Sequence, residues 1–154
     1  MAKALKTILG ALLLISSSNV FADNSWYGEV GYSRGSPDYS YYDLETVGLT
    51  VGKDIVMVKP IGVAVEASLG TGIGSFRIDS YSGIGLKLTT NIAPGLNLFA
   101  TGGYGRVRVN GLEGSGFGWD FGAQVFFTNR VYGKFSYAEE DGFNGVGVGV
   151  GVRF

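Results

Sequence analysis

Six ionisable side chains stand within apolar or glycine-rich segments, on the side of each segment that carries the small residues. Three are acidic and three are basic: Glu29, Glu66, Lys87, Asp120, Lys134 and Arg153. A charge confined away from water is costly unless it is paired and hydrogen-bonded. Equal numbers of both signs therefore predict a salt-bridged network. The open alternative is that some of the six lie at water-filled mouths and never meet.

The sequence offers few residues for catalysis or for binding metals, phosphates or nucleic acids. The chain contains no histidine and no cysteine, so it lacks the commonest general base and the thiol nucleophile. The sequence GTGIG (70–74) superficially resembles a phosphate loop, but no lysine follows it and a hairpin loop fits better. We therefore expect no catalytic residues, no metal site and no cofactor. No basic stripe is present, so nucleic acid is not an expected partner.

The elements that must position the charges alternate bulky apolar residues with small or polar ones. Such a period of two is the pattern of β-strands, and no segment after residue 22 has helical periodicity. The segments approach the ten or so residues that a transmembrane barrel strand needs. There are eight of them, at 26–33, 46–52, 61–70, 83–89, 96–103, 117–127, 131–138 and 146–154.

The connectors predict an up-and-down antiparallel barrel. Long Gly-, Asp- and Asn-rich connectors follow the odd-numbered segments, and short turns follow the fourth and sixth. The long ones are SRGSPDYSYYD, TGIGSFRID, NGLEGSG and EEDGFNG, and the short ones are NIAPG and TNR. In KDIVMVKP (53–60) the alternation breaks, so the turn there is placed only loosely.

Residues 1–22 have the layout of a cleaved Sec-type signal peptide. Lys3 and Lys6 precede the apolar run ILGALLLI, and VFA ends the segment as a cleavage site. The run is much shorter than the roughly 20 residues of a membrane-spanning helix. We expect one mature domain at 23–154.

Alternation alone does not separate a membrane barrel from a soluble lipocalin-like barrel, since the two faces are simply exchanged. Here the polar face consists mostly of Gly, Ser, Thr and Ala, which suit a narrow lumen, and the apolar face carries Val, Leu, Ile and aromatic residues. Charged residues make up 16% of the chain, against about 25% in ordinary soluble proteins. The sequence thus predicts an all-β, eight-stranded transmembrane barrel.

Both ends of this domain resemble a known family. The terminal VGVGVGVRF resembles the closing strand of bacterial outer-membrane barrels, and WYGEVGYS (26–33) resembles the first strand of the OmpA/OmpX/opacity-type small barrels. The resemblance implies the outer membrane of a Gram-negative bacterium. It also implies an assembly signal at Val150, Val152 and Phe154, read by the barrel-assembly machinery after passage with periplasmic chaperones.

Two further features are candidates for surface contacts. Arg106 and Arg108 fall on the apolar parity near the long-loop end, where guanidinium groups could bind lipopolysaccharide phosphates. Alternatively, a bulge at Gly102–Gly103 resets the parity, or the strand has left the membrane there. Tyr39, Tyr41 and Tyr42 lie in the first long connector and form either a binding loop or an interfacial tyrosine belt.

The leading expectation is a non-enzymatic barrel with a structural or surface-interaction role and a largely plugged lumen. Its expected partners are outer-membrane lipid and lipopolysaccharide, and we expect a monomer. The alternatives are a narrow passive pore for small solutes and a soluble periplasmic lipocalin-like carrier.

Overall fold

Eight antiparallel strands close into a barrel in chain order, which confirms the predicted fold. The computed structural model describes residues 25–37, 44–58, 60–73, 78–140 and 143–154. The expected signal peptide and Tyr39, Tyr41 and Tyr42 lie outside these residues. The strands are β1 (Trp26–Pro37), β2 (Leu44–Val58), β3 (Ile61–Gly72), β4 (Ile78–Ala93), β5 (Leu96–Val109), β6 (Leu112–Phe126), β7 (Val131–Glu140) and β8 (Phe143–Arg153).

The barrel closes where β1 pairs with β8. Their register begins at Tyr27 opposite Arg153 and continues to Pro37 opposite Phe143. Closure gives each strand a neighbour on both sides over most of its length, so its backbone N–H and C=O groups are paired there as hydrocarbon surroundings require. No helix among the described residues is long and apolar enough to span a membrane.

Several strands run further into their connectors than the sequence predicted. The expectation of a long loop in NGLEGSG is wrong: Asn110 and Gly111 form a two-residue turn, and β6 begins directly at Leu112. Both turn residues have positive φ, 50° and 80°, the combination that an Asn-Gly hairpin turn adopts readily. The amide of Gly111 also donates to a carboxylate oxygen of Asp79 at 3.0 Å.

The irregular segment 53–60 contains a bulge. The pairing of β2 with β3 shifts between Asp54 and Val56, so Ile55 is the extra residue. Beyond it the strand continues to Val58, which pairs with Ile61 across the turn. The inserted residue explains why the alternation broke at this point.

The two faces of the wall have inverted polarity relative to a soluble protein. Inside, Lys87 is only 2% exposed, whereas Leu86 beside it on the outer face is 57% exposed. The outward Val, Leu, Ile and aromatic side chains continue around the barrel. The interior thus contains the charged side chains together with a few aromatic ones, and the exterior is apolar.

The glycines of the inner face allow the interior to be filled. A methyl group at Gly149 would lie 2.8 Å from the carbonyl oxygen of Val30, and one at Gly151 would overlap the ring of Tyr132. Likewise, a methyl group at Gly52 would overlap the ring of Tyr27. Small inward residues therefore make room for neighbouring backbone and for two buried tyrosines, while the valines of β8 point outward.

Candidate functional site

The structure brings five of the six predicted ionisable residues together inside the barrel. The Lys87 ammonium lies 3.1 Å from Glu29 Oε1 and 3.0 Å from Glu66 Oε1. The Lys134 ammonium lies 3.3 Å from Glu29 Oε2 and 3.1 Å from Asp120 Oδ2. These five residues, which we call the luminal network, come from β1, β3, β4, β6 and β7 and so connect opposite walls of the barrel.

Uncharged donors complete the network around the two glutamates. The Tyr27 hydroxyl donates to Glu66 and the Tyr132 hydroxyl to Glu29, both at 2.7 Å. Gln124 Nε2 donates to Glu29 at 3.2 Å, and Thr101 Oγ1 donates to Glu66 at 3.3 Å. These donors were not predicted from the sequence, although each shares the inward parity of a predicted charge on its own or a neighbouring strand.

Aromatic rings fill the space beside the ammonium groups. Lys87 Nζ lies 4.6 Å from the ring centre of Tyr27 and 5.1 Å from that of Phe99. Lys134 Nζ lies 4.6 Å from the Phe99 centre. These are cation–π distances, and such contacts strengthen where water is excluded. Tyr27, Phe99 and Tyr132 are all buried, so side chains occupy the lumen at this level.

Arg153 is not part of the luminal network. Its guanidinium pairs with Asp54 at 2.7 Å, near the end of the barrel that carries the chain termini. The same group lies 5.7 Å from the ring centre of Tyr27 and 5.9 Å from that of Phe126. Asp54 was missed because it directly precedes the bulge. The Arg153–Asp54 pair therefore blocks the lumen at a second level, between the luminal network and the terminal end of the barrel.

Arg106 and Arg108 remain on the outer face. The bulge proposed at Gly102–Gly103 is wrong, because β5 pairs continuously with β6 along its whole length and with β4 from Asn97 to Arg108. Arg108 forms an exposed ion pair with Glu113. Arg106 sits between Ser82 of β4 and Ser115 of β6.

The residues of the expected assembly signal lie along the seam between β8 and β1. Val150 is exposed on the outer face, and Val152 shares its parity. Phe154 is buried, and its amide donates to the carbonyl oxygen of Trp26 at 3.0 Å. Phe154 is therefore hydrogen-bonded to the backbone of β1.

No protein-family model and no curated protein matches the chain. Solved structures do. The Yersinia pestis attachment invasion locus protein Ail, in complex with the heparin analogue sucrose octasulfate, is 18% identical over 84% of this chain and 97% of its own, with a TM-score of 0.56.

Two further solved structures give the same picture. The N-terminal β-barrel domain of Pseudomonas aeruginosa OprF is 16% identical over 83% of this chain and 97% of its own, with a TM-score of 0.55. Neisserial surface protein A is 13% identical over 84% and 96%, with a TM-score of 0.51. At these identities the likeness concerns the fold: the chain has the fold of the small outer-membrane β-barrels.

Proposed function

We propose that this protein is an integral outer-membrane barrel without catalytic activity, whose lumen is plugged and whose role is structural or lies in surface interactions. One observation carries the proposal: a paired, buried charge network is enclosed by a wall whose outer face exposes hydrocarbon side chains. Only a closed barrel or a helix satisfies its backbone in lipid. Apolar-out and polar-in strands are the arrangement that such a barrel requires.

The polarity of the wall argues against a soluble lipocalin-like carrier. A carrier of apolar ligands would keep Lys87, Glu29 and Glu66 out of its interior and would face water with polar side chains. Here Leu86, Phe135 and many similar residues are exposed. An apolar surface of this extent on a soluble monomer would cause association.

A first experiment compares folding with and without an amphiphile. The protein comprising residues 23–154 will acquire β-structure and a heat-modifiable electrophoretic mobility in phospholipid vesicles or detergent micelles, because only these surroundings match its outer face. Circular dichroism and electrophoresis of unheated samples measure both properties. A monomer that folds in plain buffer would contradict the membrane assignment.

The luminal carboxylates do not favour catalysis. Glu29, Glu66 and Asp120 each contact a lysine ammonium. An acid held in such a pair is not a free general base, and the chain contains no histidine to replace it. These contacts support a non-enzymatic role.

A narrow passive pore is the second candidate. The luminal network contains three carboxylates and two ammonium groups, so an open lumen would favour cations. Closure is supported by the aromatic packing around Phe99 and by the second ion pair between Arg153 and Asp54.

We propose that Arg106 binds phosphate groups of outer-leaflet lipopolysaccharide. Arg108 is engaged with Glu113, whereas within the described chain no acidic side chain pairs with Arg106. Serines flank it on both neighbouring strands, and the exposed Tyr104 lies two residues away on the same face. The Tyr104 hydroxyl donates to Ser115 Oγ at 2.7 Å, and guanidinium and hydroxyl donors beside an aromatic residue suit a phosphate at the membrane–water interface.

Charge reversal at Arg106 tests this contact. Arg106→Glu will weaken lipopolysaccharide binding about tenfold, as expected for the loss of one charge-assisted hydrogen bond. Arg130→Glu, in the turn at the opposite end of the barrel, is the matched control. Binding is measured by titrating detergent-solubilised protein with lipopolysaccharide. Equal affinities of the two variants would remove Arg106 from the site.

We also propose that residues 1–22 direct Sec export and are removed, and that both termini of the mature chain face the periplasm. Val150, Val152 and Phe154 would then present the closing strand to the assembly machinery. The fastening of Phe154 to Trp26 supports a role of this residue in completing the barrel. Deletion of Phe154 should reduce the yield of assembled protein in cells more than refolding in vitro, whereas equal losses would oppose the proposal.

A further inference from the structure

The hairpin that joins β2 to β3 exposes large apolar side chains at the end of the barrel where the chain termini lie. Met57 is 65% exposed and Val58 68% exposed. Ile55, Val56 and Ile61 are exposed as well. We call residues 55–58 and 60–61, the part of this hairpin that the structure describes, the terminal-side hairpin.

The terminal-side hairpin extends past the start of β1. The last pair of β1 and β2 joins Trp26 to Lys53, followed by a hydrogen bond from the Asp54 amide to the Ser25 carbonyl at 2.7 Å. Among the described residues, positions 55–58 have a strand neighbour only in β3. On the other side Ile61 is still paired with Thr90 of β4.

Both faces of this hairpin are apolar. In the wall of the barrel, alternation reflects two different media, lipid outside and a polar lumen inside. Past the bulge, Val56 and Val58 share the outward parity with Ile61, whereas Met57 pairs with the inward Gly62. All of these larger side chains are apolar and exposed, so the two faces do not differ in polarity as they do in the wall.

The charges around the hairpin indicate which medium surrounds it. Asp54, its nearest acidic residue, has a side chain only 7% exposed and is paired with Arg153. Lys53 lies with its ammonium 5.1 Å from the Trp26 ring centre, and Lys59 stands between the two strands in the sequence. Apolar side chains next to a lysine and an aromatic ring, here Lys53 and Trp26, match the boundary between acyl chains and anionic headgroups.

We infer that the terminal-side hairpin is an anchor inserted into the periplasmic leaflet, with phospholipid as its partner. Its apolar surface is continuous with the outward side chains Val51 and Val65, which the proposed function places in lipid. Within the described chain the β1-side backbone edge at 55–58 has no strand partner, and the hydrocarbon centre offers no hydrogen-bonding groups to such an edge. The hairpin therefore lies at the headgroup boundary, at the depth of an interfacial segment.

Single-cysteine labelling tests this inference, because the chain has no cysteine of its own. The Val58→Cys variant is labelled at its cysteine with an environment-sensitive fluorophore and refolded into vesicles of phosphatidylethanolamine and phosphatidylglycerol. Leu86→Cys reports the outer wall, and Asn129→Cys reports the polar β6–β7 turn at the same end. We expect brominated lipid to quench the labels at 58 and 86, and aqueous iodide to quench the label at 129 several-fold more strongly.

The outcomes separate this inference from the proposed function on which it rests. If iodide quenches the label at position 58 as strongly as the label at position 129, while the label at position 86 stays protected, the inferred anchor is wrong and the membrane barrel still holds. Iodide quenching at 86 as well would overturn both. Protection at 58 that disappears when the lipid-to-protein ratio is raised would assign the surface to a second copy and overturn the lipid partner. A Met57→Cys label, on the other face, must behave like the label at 58.

Discussion

Replacing Lys87 with methionine will lower the free energy of unfolding by about 3–5 kcal/mol, the range for removing one partner of a buried ion pair. Lys87 is the lysine that contacts Glu66, and it also contacts Glu29. Its removal leaves three luminal carboxylates facing Lys134 alone. Methionine preserves the volume of the side chain, so the loss reports charge and hydrogen bonding. Urea unfolding in phospholipid vesicles, followed by tryptophan fluorescence, measures it.

A second substitution identifies the cause. Adding Glu66→Gln to Lys87→Met restores the original net charge of the luminal network, and the amide oxygen still accepts from Tyr27. The double variant should therefore recover most of the lost stability. Arg108→Met, which breaks the exposed pair with Glu113, is the control and should cost no more than about 1 kcal/mol. Similar losses for Lys87→Met and Arg108→Met would contradict a buried network.

The fold was predictable because two media act on the two faces of every strand. In the last strand, for example, Val148 is exposed on the outer face, whereas Gly149 faces the lumen against the backbone of Val30. The parity count also placed Arg106 correctly, since β5 contains no bulge that would shift it. A period of two is a local property, so it can be recognised without knowing which strands pair.

The parts that could not be predicted depend on register and on turns. Asp54 reaches Arg153 because the closure of β8 onto β1 places β2 and β8 on the two sides of the same strand at the terminal end. Tyr27 and Tyr132 donate to glutamates on other strands, and such distances follow from the closed barrel. The Asn110–Gly111 turn was hidden because Gly114 and Gly116, which follow it, give the segment the composition of a loop.

The luminal network and the Arg153–Asp54 pair block the lumen at two successive levels. The luminal network connects opposite walls in the interior, and the Arg153–Asp54 pair lies nearer the terminal end. Their side chains come from strands that are distant in the sequence, so each contact also fixes the barrel against deformation. The same residues therefore stabilise the folded barrel and block its lumen.

Emptying the lumen should therefore open a path for ions. A variant with Glu66→Ser, Lys87→Ser and Phe99→Ser keeps the net luminal charge and removes the side chains that fill one level of three adjacent strands. We expect it to conduct cations in planar bilayers, provided that heat-modifiable mobility shows it to be folded. Thr101→Ser, a conservative change of the hydroxyl donor to Glu66, is the control and should leave the lumen closed.

The unaltered protein gives the most direct test of a lumen closed by paired charges. Refolded and inserted into a planar bilayer, it should show no steady single-channel conductance above that of the bare membrane. A sustained conductance equal to that of the emptied variant would contradict the closed lumen and favour the narrow pore.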